Sequence, residues 1–333
     1  MDAPIRPLNP APSGVSAPRT DAHVHFIGEN PACGNHLSPR KKNSLLGRYF
    51  MWRLGYNGKS SIEDFYLHRL LSHLADPENP IRRVILLGLD AVHDPDGTRR
   101  LDRTEFALSN DYLIELGRRH PALIPAVSIH PYRRDAIDEL ERCFEAGARF
   151  LKWLPNSQDF DPADSRIKPF YRRLADRGMI VITHTGFEHT IRPYQQSYGD
   201  PARLATGLDM GVRMIAAHSG SSGILHRMEY FDAFLEMLNR FPNLYGDLSA
   251  FTSVARFPYL RRLLDDAGAP WDRLIHGSDY PILPTPWLFA DRLGFDRARR
   301  LGALSNPLKM DYEIKRALGV PESCFTLPAQ WKI

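Results

Sequence analysis

The amino-acid sequence predicts an α/β fold, a (β/α)8 TIM barrel, and two observations lead to it. From residue 20 onward, eight short apolar segments alternate with longer stretches of helical periodicity. The chain has 333 residues, a length that closed barrels commonly fill as one domain. An apolar fraction of 43% with 25% charged residues is typical of a globular chain and excludes disorder throughout.

The same alternation could also build an open, doubly wound sheet. That fold normally carries a glycine-rich phosphate-binding turn after its first strand. This chain reads HVHF there. The barrel is therefore favoured over the open sheet.

The short apolar segments are the predicted strands. Because helices lie between them, the strands should be parallel and joined by right-handed crossovers. Eight such units close a sheet into a barrel. The predicted strands are 20–25, 84–90, 123–130, 148–153, 179–184, 212–218, 243–248 and 274–279.

Amphipathic stretches between the strands are the predicted helices. One begins at Asp135, a residue type suited to an N-cap, and stops before Gly147, where a left-handed C-cap is least costly. The others also stop shortly before a glycine or a proline, which commonly end helices. The predicted helices are 135–146, 167–177, 229–240 and 257–266.

Two segments fall outside this alternation. Residues 1–18 are rich in proline, which interrupts any apolar stretch of a signal peptide, so we predict a flexible, disordered N-terminal arm. Residues 19–333 then form a single barrel domain. Within it, 31–60 is long for a connection after the first strand, and we expect it to fold over the barrel mouth or to contact a partner subunit. The assembly expected is a homo-oligomer, or a hetero-oligomer with a related subunit.

Charge and cysteine content narrow the class of partner. Lys and Arg number 43 against 39 Asp and Glu, a net charge of +4, and the arginines are scattered, so a small-molecule substrate is expected and a nucleic acid is not. No apolar run reaches the ~20 residues that cross a bilayer, so no membrane partner is expected. Cys33, Cys143 and Cys324 form no CxxC pair or disulfide framework, which predicts a cytoplasmic location.

Metal-competent side chains gather at the ends of the predicted strands. His23 and His25 are two residues apart on a strand, so both imidazoles point to one face. His184, His218 and Asp279 end three further strands, where TIM barrels keep their active sites. The HxH pair alone fits two ordinary histidines equally well, but five such groups buried around one axis would be costly without a cation. A divalent cation would activate water, and Asp279 is placed to accept the proton.

Four motifs resemble those of a known family. DAHVH, ITHTG, AAHSG and HGSDYP are similar to the motifs of strands 1, 5, 6 and 8 of the amidohydrolase superfamily, and the resemblance spans residues 20–330. HGSDYP and the closing NPLKMDYEIKRALGVP look most like its amidohydrolase-related (amidohydrolase 2, aminocarboxymuconate semialdehyde decarboxylase-like) branch. That branch contains hydrolases and non-oxidative decarboxylases.

The resemblance implies a ligand set and a cofactor. By position, His23, His25, His184 and Asp279 would bind the principal metal, and His218 would polarise the substrate or contact a second metal. Asp279 and His218 would then be the catalytic residues. Zinc is the expected ion, and manganese or iron would also suit oxygen ligands.

Lys152, at the end of the fourth predicted strand, bears on the number of metal ions. In the two-metal members of the superfamily a lysine at this place is carboxylated and bridges the ions, so the resemblance adds Lys152 to the metal ligands. The alternative is an unmodified lysine that is paired with an acid inside the mouth and binds a substrate carboxylate. One or two divalent metal ions are therefore expected.

Four polar residues are candidates for substrate binding. Asp90 and His130 end the second and third predicted strands and should look onto the mouth, where support of a metal ligand is another role open to them. Arg133 could clamp a carboxylate with two hydrogen bonds. Glu188, in the loop after the fifth strand, could shuttle a proton, and Asp247 is expected to cap or orient at the end of the seventh.

The sequence thus predicts a metal-dependent hydrolase that works at the C-terminal face of the barrel. Three alternatives stay open: a non-oxidative decarboxylase of an unsaturated or aromatic acid, an oxygen-using enzyme with two iron or manganese ions, and a non-catalytic subunit that keeps the ligands for stability. In the decarboxylase, the metal would hold the carboxylate while an acid such as His218 protonates carbon.

Overall fold

Eight parallel strands form the barrel that the sequence predicts. The structure, a computed structural model, describes residues 17–223 and 228–331, so nearly all of the predicted N-terminal arm lies outside the described residues. The strands of the described residues are β1 (Thr20–His25), β2 (His36–Leu37), β3 (Arg83–Leu87), β4 (Phe106–Ala107), β5 (Leu123–Val127), β6 (Phe150–Trp153), β7 (Ile180–His184), β8 (Arg213–Ala217), β9 (Leu244–Asp247) and β10 (Leu274–Ile275). Of these, β2 and β4 form a separate two-stranded sheet. The sheet runs in chain order, β1-β3-β5-β6-β7-β8-β9-β10, as expected when helices cross over between neighbouring strands.

Contacts between β10 and β1 close the barrel. The backbone N–H of Ala22 donates to the carbonyl of His276 at 2.9 Å, and the N–H of Asp279 donates to the carbonyl of His23 at 2.9 Å. Val24 also forms a parallel bridge with Tyr280. The hydrogen bonds continue past the two regular residues of β10, so the chain beyond that strand remains attached to β1.

Helices alternate with the barrel strands. Those of the described residues are α1 (Pro39–Lys42), α2 (Leu45–Leu54), α3 (Ile62–Ala75), α4 (Asn110–Arg119), α5 (Ala136–Glu145), α6 (Pro155–Gln158), α7 (Lys168–Arg177), α8 (Ala205–Asp209), α9 (Glu229–Arg240), α10 (Phe257–Asp265), α11 (Ala290–Leu293), α12 (Phe295–Gly302) and α13 (Pro307–Ala317). The four predicted helices are α5, α7, α9 and α10, each within one residue at either end. Gly178 ends α7 with a left-handed φ of 63°. Asp135 precedes α5 without capping it, because its carboxylate accepts from Nε of Arg133 at 2.9 Å.

The long connection after β1 folds over the barrel mouth, which was one of its two expected places. It is not a loop throughout, since β2 pairs with β4 in an antiparallel bridge and α1 and α2 follow. Ser44 starts α2, and its Oγ accepts from the N–H of Gly47 at 3.0 Å. Phe50 and Met51 of α2 line the cavity at the mouth. The connection therefore forms one wall of that cavity.

The hydrophobic core has two layers, one inside the barrel and one between barrel and helices. Successive side chains of a strand point to opposite faces, so Ile85 and Leu87 point into the barrel while Leu86 faces the helices. Trp331 completes the inner layer and packs edge-on against Tyr245, with 5.0 Å between ring centroids. Each large apolar side chain buried here contributes about 1.5–3 kcal/mol. Within the described part of the chain, no helix is long and apolar enough to span a membrane.

Candidate active site

Asp247, the last residue of β9, orients His23 in β1. Nδ1 of His23 and Oδ2 of Asp247 lie 2.7 Å apart, and both side chains are fully buried. Burial, with the charge of Lys152 as a second cause, lowers the pKa of His23 to about 4, so the imidazole is neutral. Because a carboxylate only accepts hydrogen bonds, Nδ1 carries the proton and Nε2 keeps a lone pair for a ligand.

The same carboxylate orients His218, which follows β8. The backbone N–H of His218 donates to Oδ1 of Asp247 at 2.7 Å. Oγ of Ser249 donates to that oxygen and lies 2.7 Å from Nδ1 of His218. Because the hydroxyl hydrogen of Ser249 is donated to the carboxylate, Oγ can only accept from Nδ1–H of His218. Nε2 of His218 therefore keeps a lone pair. Burial alone would raise the pKa of Asp247, but its contacts with His23 and Ser249 lower it to about 2.

The backbone at two strand ends helps to aim these side chains. His218 has a φ of 62° and Asp279 a φ of 65°, in the left-handed region that residues other than glycine seldom adopt. Such strain persists where surrounding contacts hold it, and it is common at functional sites. Here the N–H of Asp279 is held by the carbonyl of His23 at 2.9 Å, and that of His218 is held by Asp247.

Nitrogen and oxygen atoms of three strands converge at the mouth. The ligand atoms of His23, His218 and Asp279 lie within 4.8 Å of one another and could hold a metal ion. Oδ1 of Asp279 is 3.0 Å from Nε2 of His25 and 3.3 Å from Nε2 of His23. The two Nε2 atoms are 3.3 Å apart. Imidazole nitrogens and a carboxylate oxygen are donors that zinc, manganese and iron accept.

Two more polar atoms lie beside this group and lack a hydrogen-bond partner among the described residues. They are Nε2 of His184 and Nζ of Lys152, both buried. The His184 ring is 4.9 Å from that of His218, centroid to centroid. Burial lowers the pKa of Lys152 to about 8. A buried polar group without a hydrogen bond costs about 1–3 kcal/mol. A cation would satisfy the unpartnered Nε2 of His184, whereas Lys152 would need an anion or carboxylation.

The group opens into a cavity of about 380 Å³ at the C-terminal ends of the strands. His25, Lys152, His184, Asp279 and Arg256 supply polar parts of its wall. Most of the remaining wall is apolar and comes from Phe26, Ile27, Leu37, Phe50, Met51, Ile62, Leu87, Leu89, Phe106, Leu154, Ile191, Pro281 and Ile282. Apolar walls with a few placed polar groups are typical of small-molecule sites.

The sequence matches the family model described as amidohydrolase over residues 20–320. The chain belongs to the amidohydrolase family. The match confirms the resemblance drawn from the four strand-end motifs. Among curated proteins, none matches this amidohydrolase-family chain significantly.

Solved structures share the fold of this family member. An uncharacterised TIM-barrel protein from Bordetella bronchiseptica gives a TM-score of 0.59 at 17% identity, covering 90% of this chain and 99% of that one. A putative 2-pyrone-4,6-dicarboxylic acid hydrolase from Pseudomonas putida gives 0.54 at 16% identity, with 96% and 94% covered. A probable 2-pyrone-4,6-dicarboxylic acid hydrolase from Acinetobacter baumannii, with citric acid bound, gives 0.55 at 13% identity, with 92% and 97% covered. At these identities the likeness concerns the fold alone.

Three of the four predicted substrate-binding residues lie outside the central cavity. Asp90 accepts from the N–H of His130 at 2.9 Å and from Nη1 of Arg133 at 3.2 Å. Nε2 of His130 is 2.7 Å from the carbonyl of Gln158. Asp90 and His130 stand three residues beyond β3 and β5, where strand alternation no longer sets their direction. Asp90 and Arg133 instead line a separate, open cavity beside the barrel.

Glu188, the fourth of these residues, does line the central cavity. Its Oε2 is 3.5 Å from Nδ1 of His184, and its Oε1 accepts from the N–H of Ile191 at 2.9 Å. Glu188 is therefore held beside a predicted metal ligand. A direct role toward the substrate stays a prediction.

Sequence reasoning missed Ser249 and Arg256. Ser249 lies two residues beyond the end of β9, where strand alternation does not place its side chain, and its contact with Asp247 is made in the turn that follows. Arg256 lies nine residues beyond β9 in an irregular segment, and no periodic pattern singles it out. The expectation that Asp247 orients a neighbour agrees with its contacts to His23 and His218.

Proposed function

We propose that this chain is a metal-dependent hydrolase that binds one or two divalent cations at the C-terminal face of the barrel and cleaves a small molecule. The observation that carries the proposal is the convergence of Oδ1 of Asp279 with Nε2 of His23 and of His25, at 3.3 and 3.0 Å. When bound, the cation would lower the pKa of a water molecule and polarise the bond to be cleaved. Zinc is the first choice, and manganese or iron suits the same donors.

His23, His25, His184 and Asp279 would hold the principal cation. Asp247 supports this role because it leaves Nε2 of His23 unprotonated. Asp279 would also be the general base, taking the proton of the attacking water and returning it to the leaving group. The apolar wall would exclude bulk water from the reacting bond.

His218 would polarise a substrate oxygen or bind a second cation. Its ring centroid is 4.8 Å from that of His23 and 4.9 Å from that of His184, and Ser249 leaves its Nε2 with a lone pair. A carboxylated Lys152 would bridge two cations, which is compatible with a buried Nζ that has no hydrogen-bond partner among the described residues.

One observation favours a second function, non-oxidative decarboxylation of an unsaturated or aromatic acid. An unmodified Lys152 would place a buried ammonium in the cavity wall with no hydrogen-bond partner in the described part of the chain. Such a group needs an anion, and a substrate carboxylate would supply one. This function would use one cation, and the apolar wall would cover the body of the acid.

Metal analysis of the purified protein tests whether the site binds metal. Protein prepared without chelator should contain one or two equivalents by inductively coupled plasma mass spectrometry. Asp279→Asn should lose metal and turnover while circular dichroism shows the same fold. Asp90→Asn is the matched control, because this carboxylate also follows a barrel strand but lies outside the central cavity. Wild-type protein that stays free of metal after growth with zinc, manganese and iron would contradict both functions.

Products and lysine chemistry separate the two functions. A panel of lactones, esters and amides tests hydrolysis, and a panel of aromatic carboxylic acids tests decarboxylation by release of carbon dioxide. Two metal equivalents with a carbamate signal on Lys152 after exchange with isotope-labelled bicarbonate favour the two-metal hydrolase. One equivalent with an unmodified Lys152 favours the decarboxylase.

A further inference from the structure

Arg256 is a buried arginine in the wall of the central cavity. Arg256 is only 7% exposed and immediately precedes α10. It lines the same cavity as His184 and Asp279. Its Nη1 donates to the carbonyl of Ser221 and to the Oγ of Ser221, the second at 2.8 Å. These bonds hold one side of the guanidinium and so fix its orientation in the wall.

The charge of this guanidinium has no direct carboxylate partner among the described residues. Within residues 17–223 and 228–331, Arg256 forms no ion pair, and the charges of Asp279 and Glu188 act on it from a longer distance. In the proposed function, Asp279 is committed to a cation. Burial lowers the pKa of Arg256, yet a guanidinium keeps its charge at neutral pH. A buried charge of this kind is unfavourable until an anion pairs with it.

Two further lysines of the wall, in the long connection after β1, differ from Arg256 because they have acidic partners. Nζ of Lys42 is 2.7 Å from Oε2 of Glu29. Nζ of Lys41 is 3.5 Å from Oε2 of Glu105 and also donates to the carbonyl of Thr190. Their charges are therefore compensated within the protein, whereas the charge of Arg256 is available to a ligand.

We propose that Arg256 binds an anionic group of the substrate, and that the substrate is an organic anion with an apolar body. The inference rests on the proposed function only in placing the substrate in this cavity. The planar guanidinium matches the geometry of a carboxylate, and the apolar wall would cover a ring or a short chain. The 380 Å³ of the cavity suits a small molecule of this kind.

Binding of benzoate and of benzamide tests the proposal, because the two probes differ in charge and little in shape. Titration calorimetry on the full-length protein as isolated should show benzoate binding about tenfold or more tightly than benzamide. Arg256→Gln should reduce that preference, and any part that remains is assigned to Lys152, whose Nζ lies in the same wall without a hydrogen-bond partner among the described residues. Arg262→Gln is the matched control, since Arg262 lies in α10 and pairs with Asp232 at the surface, and it should leave the preference unchanged.

Arg256→Lys covers the case in which Arg256→Gln does not fold. Lysine lacks the planar guanidinium with its paired N–H donors, so this variant should bind benzoate more weakly and benzamide as before. The proposal is overturned if wild-type protein does not prefer benzoate, or if either Arg256 variant keeps the full preference. Repeating the titrations after chelator treatment removes any contribution of a metal to benzoate binding.

Metal content measured on each protein keeps the two proposals apart. Wild-type protein that prefers benzoate but never holds metal would contradict the proposed function and not the role of Arg256. Metal-loaded protein without the preference would contradict the role of Arg256 and not the proposed function.

Discussion

Asp247 prepares two imidazoles at once, because its two oxygens serve different partners. Oδ2 accepts a hydrogen bond from Nδ1–H of His23, and Oδ1 accepts one from the hydroxyl of Ser249, whose Oγ in turn accepts from Nδ1–H of His218. A neutral histidine has two tautomers, and the one with its proton on Nδ1 presents a lone pair at Nε2. A single carboxylate therefore selects the ligand form of both imidazoles.

Asp247→Asn tests this selection. An amide offers one acceptor atom and one donor group, so it cannot accept from both His23 and Ser249. We expect metal affinity to fall by about 10–100-fold, measured by competition with a chromophoric chelator. Asp90→Asn again serves as control and should keep wild-type affinity. Unchanged affinity in Asp247→Asn would show that the tautomers are set by other contacts.

The last barrel element loses regular geometry just before the predicted general base. The sequence predicts a strand over 274–279, but only Leu274–Ile275 is regular. Alternation places His276 and Asp279 on opposite faces, and His276 indeed packs away from the cavity against Phe325, 4.8 Å between ring centroids. Asp279 reaches the cluster through a left-handed φ of 65°. Apolar periodicity predicts that a strand exists. The turn at its end depends on hydrogen bonds to β1, and the local sequence pattern does not predict those bonds.

Gly277 lies where this turn passes β1. A Cβ at this position would be 2.7 Å from Cβ of His23 and 3.1 Å from Cβ of Ser249, which is closer than side chains pack. Gly277→Ala should therefore displace His23 or the turn, lower the free energy of unfolding by about 1–3 kcal/mol, and reduce metal content. Urea denaturation and metal analysis measure the two effects.

Gly268→Ala is the matched control for this substitution. Its added Cβ would meet Oδ1 of Asp266 at 3.4 Å, an ordinary contact, so stability should change by no more than about 0.5 kcal/mol. Normal stability and full metal content in Gly277→Ala would mean that the turn has room to move.

Over the whole molecule, the existence and order of the eight barrel strands were predictable from sequence, but several strand ends and the directions of side chains beyond them were not. Alternation places His23, His184 and His218 together because a barrel brings the C-terminal ends of all its strands to one mouth. Asp90 and His130 follow the strands by three residues, and their side chains are directed by hydrogen bonds to separate segments. Hydrogen bonds to residues that are distant in sequence do not affect the local apolar periodicity, so the sequence pattern cannot predict them.

The packing of Trp331, which stabilises the fold, and the groups proposed to bind metal lie at opposite ends of the barrel. Trp331 packs against Phe150 and Tyr245 near the N-terminal ends of β6 and β9, with ring centroids 6.3 and 5.0 Å away. The metal group lies at the opposite ends of the strands. Trp331→Ala should therefore lower the free energy of unfolding by about 3–5 kcal/mol and leave the metal content of the folded protein unchanged.

Thermal denaturation and metal analysis on the same preparation check this separation. Trp52→Ala is the control, because Trp52 is 70% exposed and should change stability by no more than about 0.5 kcal/mol. If Trp331→Ala loses metal at temperatures where circular dichroism shows it folded, then packing at the barrel floor reaches the ligands at the mouth. The imidazoles would in that case depend on strand positions along the whole barrel, and the hydrogen bonds of Asp247 alone would not be enough to hold them.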